Sequence, residues 1–121
     1  LYLTHSPHGG PKARIAIWKA MQELKQSGKV KSIGISNYGS RQIEELLADS
    51  GTTIKPAVNQ IELHPFLTQT AIVDTCKKHG IQVSAYSPVS PCCMSFLSPC
   101  ISNLRYDATF CAVIACEGAK T

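Results

Sequence analysis

Short apolar runs rich in β-branched residues alternate with amphipathic helical stretches over the first 89 residues, and this alternation restricts the possible folds most. The candidate strands are Leu1–His5, Val30–Ser36, Ala57–Glu62 and Gln82–Tyr86. They start 29, 27 and 25 residues apart, so one unit recurs at nearly constant length. Strands that alternate with helices are typical of βαβ units. Because the strands are apolar on both faces, the pattern predicts a parallel sheet covered by helices.

Three helices with recognisable ends lie between these strands. They are predicted to begin at Pro11, Ser40 and Thr68, with Ser40 as an N-cap. The positions predicted to be buried are Ile15, Trp18, Met21, Leu24, Ile43, Leu46, Leu47, Ile72, Val73 and Cys76. Gly28 and Gly80 follow the first and third helices, where a left-handed C-terminal residue is favourable. Three crossovers of one kind predict right-handed βαβ units in a single sheet.

The composition and the charge pattern exclude several classes of protein. With 121 residues, 44% hydrophobic and 17% charged, the chain falls in the globular range and has room for one domain. The net charge of +4 is spread along the chain without a run of five like charges, so neither nucleic acid nor an anionic membrane is an expected partner. Neither a spanning segment nor a secretory signal is apparent, so we expect a cytoplasmic protein. The sequence starts at Leu1, which already lies inside a predicted strand, and this favours the interpretation that the chain is a fragment.

After Val89 the local signals stop agreeing with one another. Five of the six cysteines lie in the last 33 residues, at Cys92, Cys93, Cys100, Cys111 and Cys116. Residues 90–121 are either a separate cysteine-bearing tail or sequence not selected for the fold, such as read-through, an altered splice or a frame error. We favour the second explanation, because consistency between local signals is lost there. The composition also leaves disorder open, and the cysteine spacing matches no standard zinc pattern, so we predict no metal site.

Polar residues occur at the carboxyl end of each predicted strand, which is the edge where parallel α/β folds bind ligands. The segments are Thr4-His5-Ser6-Pro7, Gly34-Ile35-Ser36-Asn37-Tyr38, Asn59-Gln60-Ile61-Glu62-Leu63-His64-Pro65 and Ala85-Tyr86-Ser87-Pro88. In this order and spacing they resemble the strand motifs of the aldo/keto reductase family. The resemblance covers residues 1 to about 89 and none of the tail.

The resemblance implies an eight-stranded (β/α)8 TIM barrel with a nicotinamide cofactor across its C-terminal mouth. Residues 1–89 would supply roughly the fourth to seventh strands, that is, about four parallel strands with flanking helices. The implied reaction is the NAD(P)H-dependent reduction of aldehydes or ketones to alcohols. A preference for NADPH is implied by the family alone, and the implied partner is a small-molecule carbonyl substrate.

The resemblance also assigns roles to individual residues. His5 matches the histidine that orients and polarises the substrate carbonyl, and a neutral imidazole N–H can stabilise an oxygen that gains charge. Without the resemblance, the better interpretation of His5 is a satisfied histidine at a strand end, because a lone histidine is weak evidence of catalysis. Ser36, Asn37 and Gln60 match the residues that hold the nicotinamide carboxamide, whose donors and acceptor suit hydroxyl and amide side chains. Ser36 and Asn37 are otherwise simple turn residues.

Two further residues match the cofactor site. Tyr86 matches the aromatic residue that stacks on the nicotinamide ring, although an aromatic at a strand end is otherwise more often core. Ser87 matches a position close to the cofactor phosphates. Tyr38 does not match the proton-donating tyrosine of the family, because it follows a different strand.

The family's catalytic aspartate, tyrosine and lysine belong to strands before residue 1, so we expect an incomplete and inactive piece of a reductase. The alternative is a non-catalytic nicotinamide-binding or protein-interaction module derived from the same barrel. A third hypothesis is a cysteine-bearing redox or metal tail fused to a barrel remnant. An open half-barrel has two unpaired sheet edges, which favour self-association.

Overall fold

The computed structural model describes residues 1–88, and the predicted tail lies outside them. The elements in chain order are β1 (Tyr2–Leu3), α1 (Gly10–Gln26), β2 (Ile33–Ser36), α2 (Ser40–Ala48), β3 (Val58–Glu62), α3 (Thr70–His79) and β4 (Gln82–Tyr86). All neighbouring strands are parallel, and the sheet order β1-β2-β3-β4 follows the sequence. The predicted class, four parallel strands with flanking helices, is confirmed.

Three of the four strands are shorter than predicted. β4 has the predicted bounds, whereas β1 is reduced to Tyr2–Leu3 and β2 begins at Ile33. In the described part of the chain β1 pairs only with β2, through bonds such as the one from the Tyr2 N–H to the Ser32 carbonyl at 2.9 Å. Only Tyr2 and Leu3 have register partners on β2, at Ile33 and Gly34, so two of the five predicted residues form the strand.

The helix ends were predicted in part. Gly28 and Gly80 have φ values of +75° and +65°, so both predicted left-handed stops are confirmed. Ser40 is not the N-cap of α2, because Gly39 holds that position and its N–H donates to Gln42 Oε1 at 2.9 Å. α3 begins at Thr70 rather than Thr68, after Gln69 in a left-handed conformation.

The hydrophobic core lies between the helices and one face of the sheet. Its buried members are Trp18, Met21, Ile33, Ile35, Tyr38, Ile43, Leu46, Cys76 and Ile81. Because the parallel strands follow one another in sequential order, right-handed crossovers place α1, α2 and α3 on the same face of the sheet. Among residues 1–88, no helix combines the length and apolarity that crossing a membrane requires.

Two polar side chains of α1 are buried, although only apolar side chains of this helix were predicted to be buried. Arg14 is 8% exposed and forms an ion pair with Glu45 on α2, with 2.5 Å between Nη2 and Oε2. Gln22 is 4% exposed and hydrogen-bonds the segment that leads into β3. Ile15 and Leu24 are only half-buried. The buried stripe of α1 therefore mixes packing with polar connections between elements.

Candidate functional site

The carboxyl ends of the four strands enclose an open cleft of about 400 Å³. Its walls are formed by Leu3, His5, Ser36, Asn37, Gln60 and Tyr86. The strand register accounts for this convergence, since Ser36 is paired with Gln60 and Gln60 with Ser84. Successive side chains of a strand point to opposite faces, so Tyr86 shares the face of Ser84 and Gln60. The structure thus brings five of the six predicted site residues together.

The Asn37 side chain connects three other parts of the cleft. Its Nδ2 donates to the His5 carbonyl at 3.0 Å and to Ser36 Oγ at 3.2 Å. Its Oδ1 accepts a hydrogen bond from the Tyr86 hydroxyl at 2.7 Å. One amide therefore joins the ends of β1, β2 and β4, and these contacts fix its orientation toward the cleft.

The backbone at Asn37 adopts a conformation that few residue types tolerate. Its φ is +62°, in the left-handed region that asparagine enters more readily than most non-glycine residues. The Asn37 N–H donates to the Gln60 carbonyl at 2.9 Å, and Ser36 Oγ donates to the same carbonyl at 2.7 Å. The end of β2 is consequently attached to β3, and the turn displays the Asn37 amide at the strand end.

His5 lies just beyond β1 and its side chain is exposed at the cleft. Because Asn37 Nδ2 holds the His5 carbonyl, the backbone that carries the imidazole is fixed to the end of β2. An imidazole N–H at this place can donate to a ligand oxygen in the cleft. Its predicted role in polarising a substrate carbonyl stays a prediction.

Ser87 does not line the cleft. It follows β4, is exposed, and has a φ of +48°. Its predicted position beside the cofactor phosphates therefore stays a prediction.

Tyr38 is buried in the core, 1% exposed, and does not line the cleft. Burial raises the pKa of its hydroxyl, against the smaller lowering effects of the Thr4 hydroxyl and the Arg14 guanidinium. A buried phenol on the helix side of the sheet is not placed to reach a ligand in the cleft. This placement agrees with the sequence argument that Tyr38 is not an acid for catalysis.

Asn59 is a buried polar residue to which the sequence reasoning assigned no role. It is 0% exposed, and its side-chain amide is hydrogen-bonded to the backbone N–H and carbonyl of Tyr38, which lies just after β2. The available signal was the occurrence of two adjacent amides, Asn59 and Gln60, inside a strand, since alternate residues of a strand face opposite sides. One amide must then lie on the helix side, where it needs partners.

A second and larger hollow of about 520 Å³ lies between α3 and β4. Its walls come from the segment after β3, from α3 and from the outer side of β4, and include Pro65, Val73, Lys77, Val83 and Ala85. It shares no lining residue with the cleft and is mostly apolar. Within residues 1–88, no group of three His, Cys, Asp or Glu side chains is placed to hold a metal ion.

Comparison with known proteins identifies a family. A sequence model of the aldo/keto reductase family matches residues 1–95. An uncharacterized oxidoreductase of Schizosaccharomyces pombe is 53% identical over 90 residues, which cover 74% of this chain and 31% of that protein. Glyoxal reductase of Bacillus subtilis is 46% identical over 89 residues, with 74% and 31% coverage.

Solved structures agree with the sequence comparisons. The crystal structure of a Bombyx mori aldo-keto reductase in complex with NADP has a TM-score of 0.65 and 39% identity, over 72% of this chain and 30% of that one. The chain thus spans about a third of the length of the proteins that it matches. The four parallel strands correspond to part of a (β/α)8 barrel. On these grounds the chain belongs to the aldo/keto reductase family.

Proposed function

We propose that the cleft binds the nicotinamide end of NADP(H), and that the parent activity is the NADPH-dependent reduction of aldehydes or ketones to alcohols. The observation that carries this proposal is the Asn37 amide, held among His5, Ser36 and Tyr86 at the common edge of four strands. Residues with only a packing role would be scattered along the strands instead.

The side chains of the cleft suit a nicotinamide carboxamide. This group has two N–H donors and one carbonyl acceptor, and the Ser36 hydroxyl with the Asn37 and Gln60 amides offers both kinds of partner. Asn37 Oδ1 accepts the Tyr86 hydroxyl in the structure, and it is also the acceptor that a carboxamide NH2 needs. We expect Tyr86 to release Asn37 on binding and to cover the ring with its own aromatic face.

The choice of NADP over NAD is supported by the Bombyx mori relative, whose structure contains NADP. None of the residues that line the cleft in the described part of the chain is a lysine or an arginine. The cleft therefore accounts for the nicotinamide end of the cofactor, which carries no negative charge, and not for its phosphates. Ser87 is our proposed contact to those phosphates.

In the proposed parent activity, His5 is the catalytic residue, because its imidazole can donate a hydrogen bond to the oxygen of a bound carbonyl compound. The cofactor supplies the hydride when it is bound. A small-molecule carbonyl substrate is supported by the name of the Bacillus subtilis relative, a glyoxal reductase.

The aspartate, tyrosine and lysine that complete such a site in the family have no counterpart among the cleft residues of 1–88. We therefore propose that this chain binds the nicotinamide group but does not catalyse the reduction of a carbonyl substrate. Under the alternative, a non-catalytic binding or interaction module, the same contacts would serve binding alone.

The remaining proposals concern context. We propose that residues 1–89 correspond to the fourth to seventh strands of the barrel, that residues 90–121 lie outside it, and that the protein is cytoplasmic.

Self-association through the edges of β1 and β4 is a further proposal, since neither outer edge pairs with a strand in residues 1–88. Light scattering across a concentration series would test it.

Titration of the full 121-residue chain with nicotinamide mononucleotide tests the proposed function. We expect saturable binding with a dissociation constant on the order of 1 mM, and chemical-shift changes at Asn37, Gln60 and Tyr86. Adenosine 2′,5′-bisphosphate, which lacks the nicotinamide, should leave these signals unchanged. Equal shifts with both ligands, or none with the mononucleotide, would exclude the assignment.

The informative variant is Asn37→Gly, which keeps the left-handed backbone and removes the amide. Its matched control is Gln69→Gly, another non-glycine residue with positive φ, at +47°, that does not line the cleft. Only Asn37→Gly should abolish binding of the mononucleotide.

A further inference from the structure

Asn59 lies on β3 immediately before Gln60, yet it faces the opposite side of the sheet. Gln60 lines the cleft, whereas Asn59 has no exposed surface and lies beneath the helices. It is the only polar residue in the described part of the chain with 0% exposure. A buried amide is costly unless it is hydrogen-bonded, so its partners indicate why it is there.

Those partners belong to the turn that carries Asn37. Asn59 Nδ2 donates to the Tyr38 carbonyl at 2.9 Å, and Asn59 Oδ1 accepts the Tyr38 N–H at 3.4 Å. The side-chain amide thus pairs with both backbone groups of one residue, as a neighbouring strand would. A third contact joins Nδ2 to Cys76 Sγ on α3 at 3.7 Å.

These bonds extend the pairing of β2 and β3 past the end of the ladder. The regular register ends with Ser36 opposite Gln60, and the Asn37 N–H then donates to the Gln60 carbonyl. Asn59 holds the next residue, Tyr38. The left-handed Asn37 is therefore fixed on both sides by consecutive residues of β3, one through its backbone and the other through its side chain.

We propose that Asn59 is a positioning residue of the nicotinamide site. It contacts no ligand, and it acts by holding the turn of residues 36–39 so that the Asn37 amide faces the cleft. This inference rests on the proposed function for its consequence in binding, while the positioning of Asn37 can be measured without a ligand.

The first measurement uses the unmodified 121-residue chain. In hydrogen exchange, the Tyr38 amide should be protected to the same degree as the ladder amides of β3, such as that of Ile61, and an NOE should connect the side chains of Asn37 and Tyr86. A Tyr38 amide that exchanges like an unprotected one would overturn the positioning claim. Neither result depends on nicotinamide binding.

The second measurement compares Asn59→Leu, which keeps the volume and removes both hydrogen bonds, with Leu46→Ala on α2. Leu46 is 1% exposed and belongs to the core, and its side chain makes none of the hydrogen bonds of the turn, so its truncation lowers stability while those bonds keep their partners. Below the melting temperature of both variants, Asn59→Leu should lose the NOE between Asn37 and Tyr86. It should also bind nicotinamide mononucleotide about tenfold more weakly. Leu46→Ala should keep both properties.

The outcomes are separable. Equal binding by Asn59→Leu and the wild type, or an equal loss in Leu46→Ala, would refute a positioning role. If Asn59→Leu does not fold, Asn59→Ser takes its place, because its hydroxyl can keep one of the two bonds, and it should weaken binding less than tenfold. If the wild type does not bind the mononucleotide, the proposed function fails, and hydrogen exchange with the NOE still decides whether Asn59 positions Asn37.

Discussion

The Tyr86 hydroxyl donates to Asn37 Oδ1 across 2.7 Å, which joins side chains 49 positions apart in the sequence. The same oxygen is the acceptor that we assign to the ligand, so the two hydrogen bonds compete. Tyr86→Phe removes the competitor and keeps the ring. A hydrogen bond of this kind contributes about 0.5–1.5 kcal/mol, so we expect this variant to bind nicotinamide mononucleotide about twofold to tenfold more tightly.

The comparison for Tyr86→Phe is Tyr86→Ala, which removes the ring as well and should weaken binding below that of the wild type. Isothermal titration calorimetry of the three proteins separates the two effects. Weaker binding by Tyr86→Phe would show that the hydroxyl is a direct ligand contact and not a competitor.

Turnover should be absent. We expect the purified chain to oxidise NADPH no faster than a blank with a panel of aldehydes, because residues 1–88 place His5 in the cleft without a matching proton donor and lysine. Absorbance at the NADPH band measures this directly. Turnover above the blank that disappears in His5→Ala would contradict the expectation and establish His5 as catalytic.

Gln22 should be one of the polar residues that stabilise the fold most. Its Oε1 accepts the backbone N–H groups of Thr53 and Ile54 at 2.8 and 2.7 Å, and its Nε2 donates to the Gly51 carbonyl at 2.8 Å. Gln22→Ala leaves these groups without their partner, and we expect a loss of about 2–3 kcal/mol in the free energy of unfolding.

The control for Gln22 is Gln26→Ala in the exposed last turn of the same helix, which should change the free energy of unfolding by less than about 0.5 kcal/mol. Urea denaturation can be followed through Trp18, the single tryptophan of the chain, which is buried and donates to the Ile54 carbonyl. Equal midpoints for the two variants would contradict the prediction.

Gly34 on β2 should not tolerate a side chain. A Cβ there would lie 2.7 Å from the Val58 carbonyl oxygen and 2.7 Å from Leu3 Cδ2, so the sheet would have to shift. We expect Gly34→Ala to lower the free energy of unfolding by about 1–3 kcal/mol. Gly39→Ala is the comparison: its Cβ would meet nothing closer than Gln42 Oε1 at 3.7 Å, and it should cost less than about 1 kcal/mol.

Stability should fall at alkaline pH because of Cys76. Burial raises the pKa of its thiol above the ordinary value of 9.0, against a smaller lowering by the Asn59 amide. In the unfolded chain the thiol loses its proton first. The contribution of the Cys76 thiol to the free energy of unfolding is therefore complete below its ordinary pKa. It is lost as the pH rises through the pKa of the thiol in the folded protein. Burial acts on Tyr38 in the same direction.

The measurement is the slope of the free energy of unfolding between about pH 8 and 10. Cys76→Ala should show a flatter slope than the wild type, whatever its stability at neutral pH. Parallel slopes for the two proteins would show that Cys76 does not titrate differently on unfolding.

The sequence predicted the sheet and the location of the cleft, because both follow from patterns that repeat. The strands recur at a nearly constant interval, and residues that end parallel strands meet at one edge. This pattern predicts that five residues lie together, and the structure brings them together: His5, Ser36, Asn37, Gln60 and Tyr86. Their binding roles remain predictions.

What the sequence did not predict depends on contacts between distant residues. Arg14 and Gln22 are buried because Glu45 and the segment before β3 satisfy them. None of these partners is visible in a local pattern.

The sequential order of the strands also has a consequence for how fast this sheet can form. Tyr2 pairs with Ile33, Ile35 with Asn59, and Val58 with Gln82, so partners are 31, 24 and 24 positions apart. Each pairing must close a loop of that length before any ladder bond offsets the lost chain entropy. The described residues contain no hairpin between strands to act as a local nucleus, so we expect α1, α2 and α3 to gain structure early and the strand-end cleft to appear late in folding.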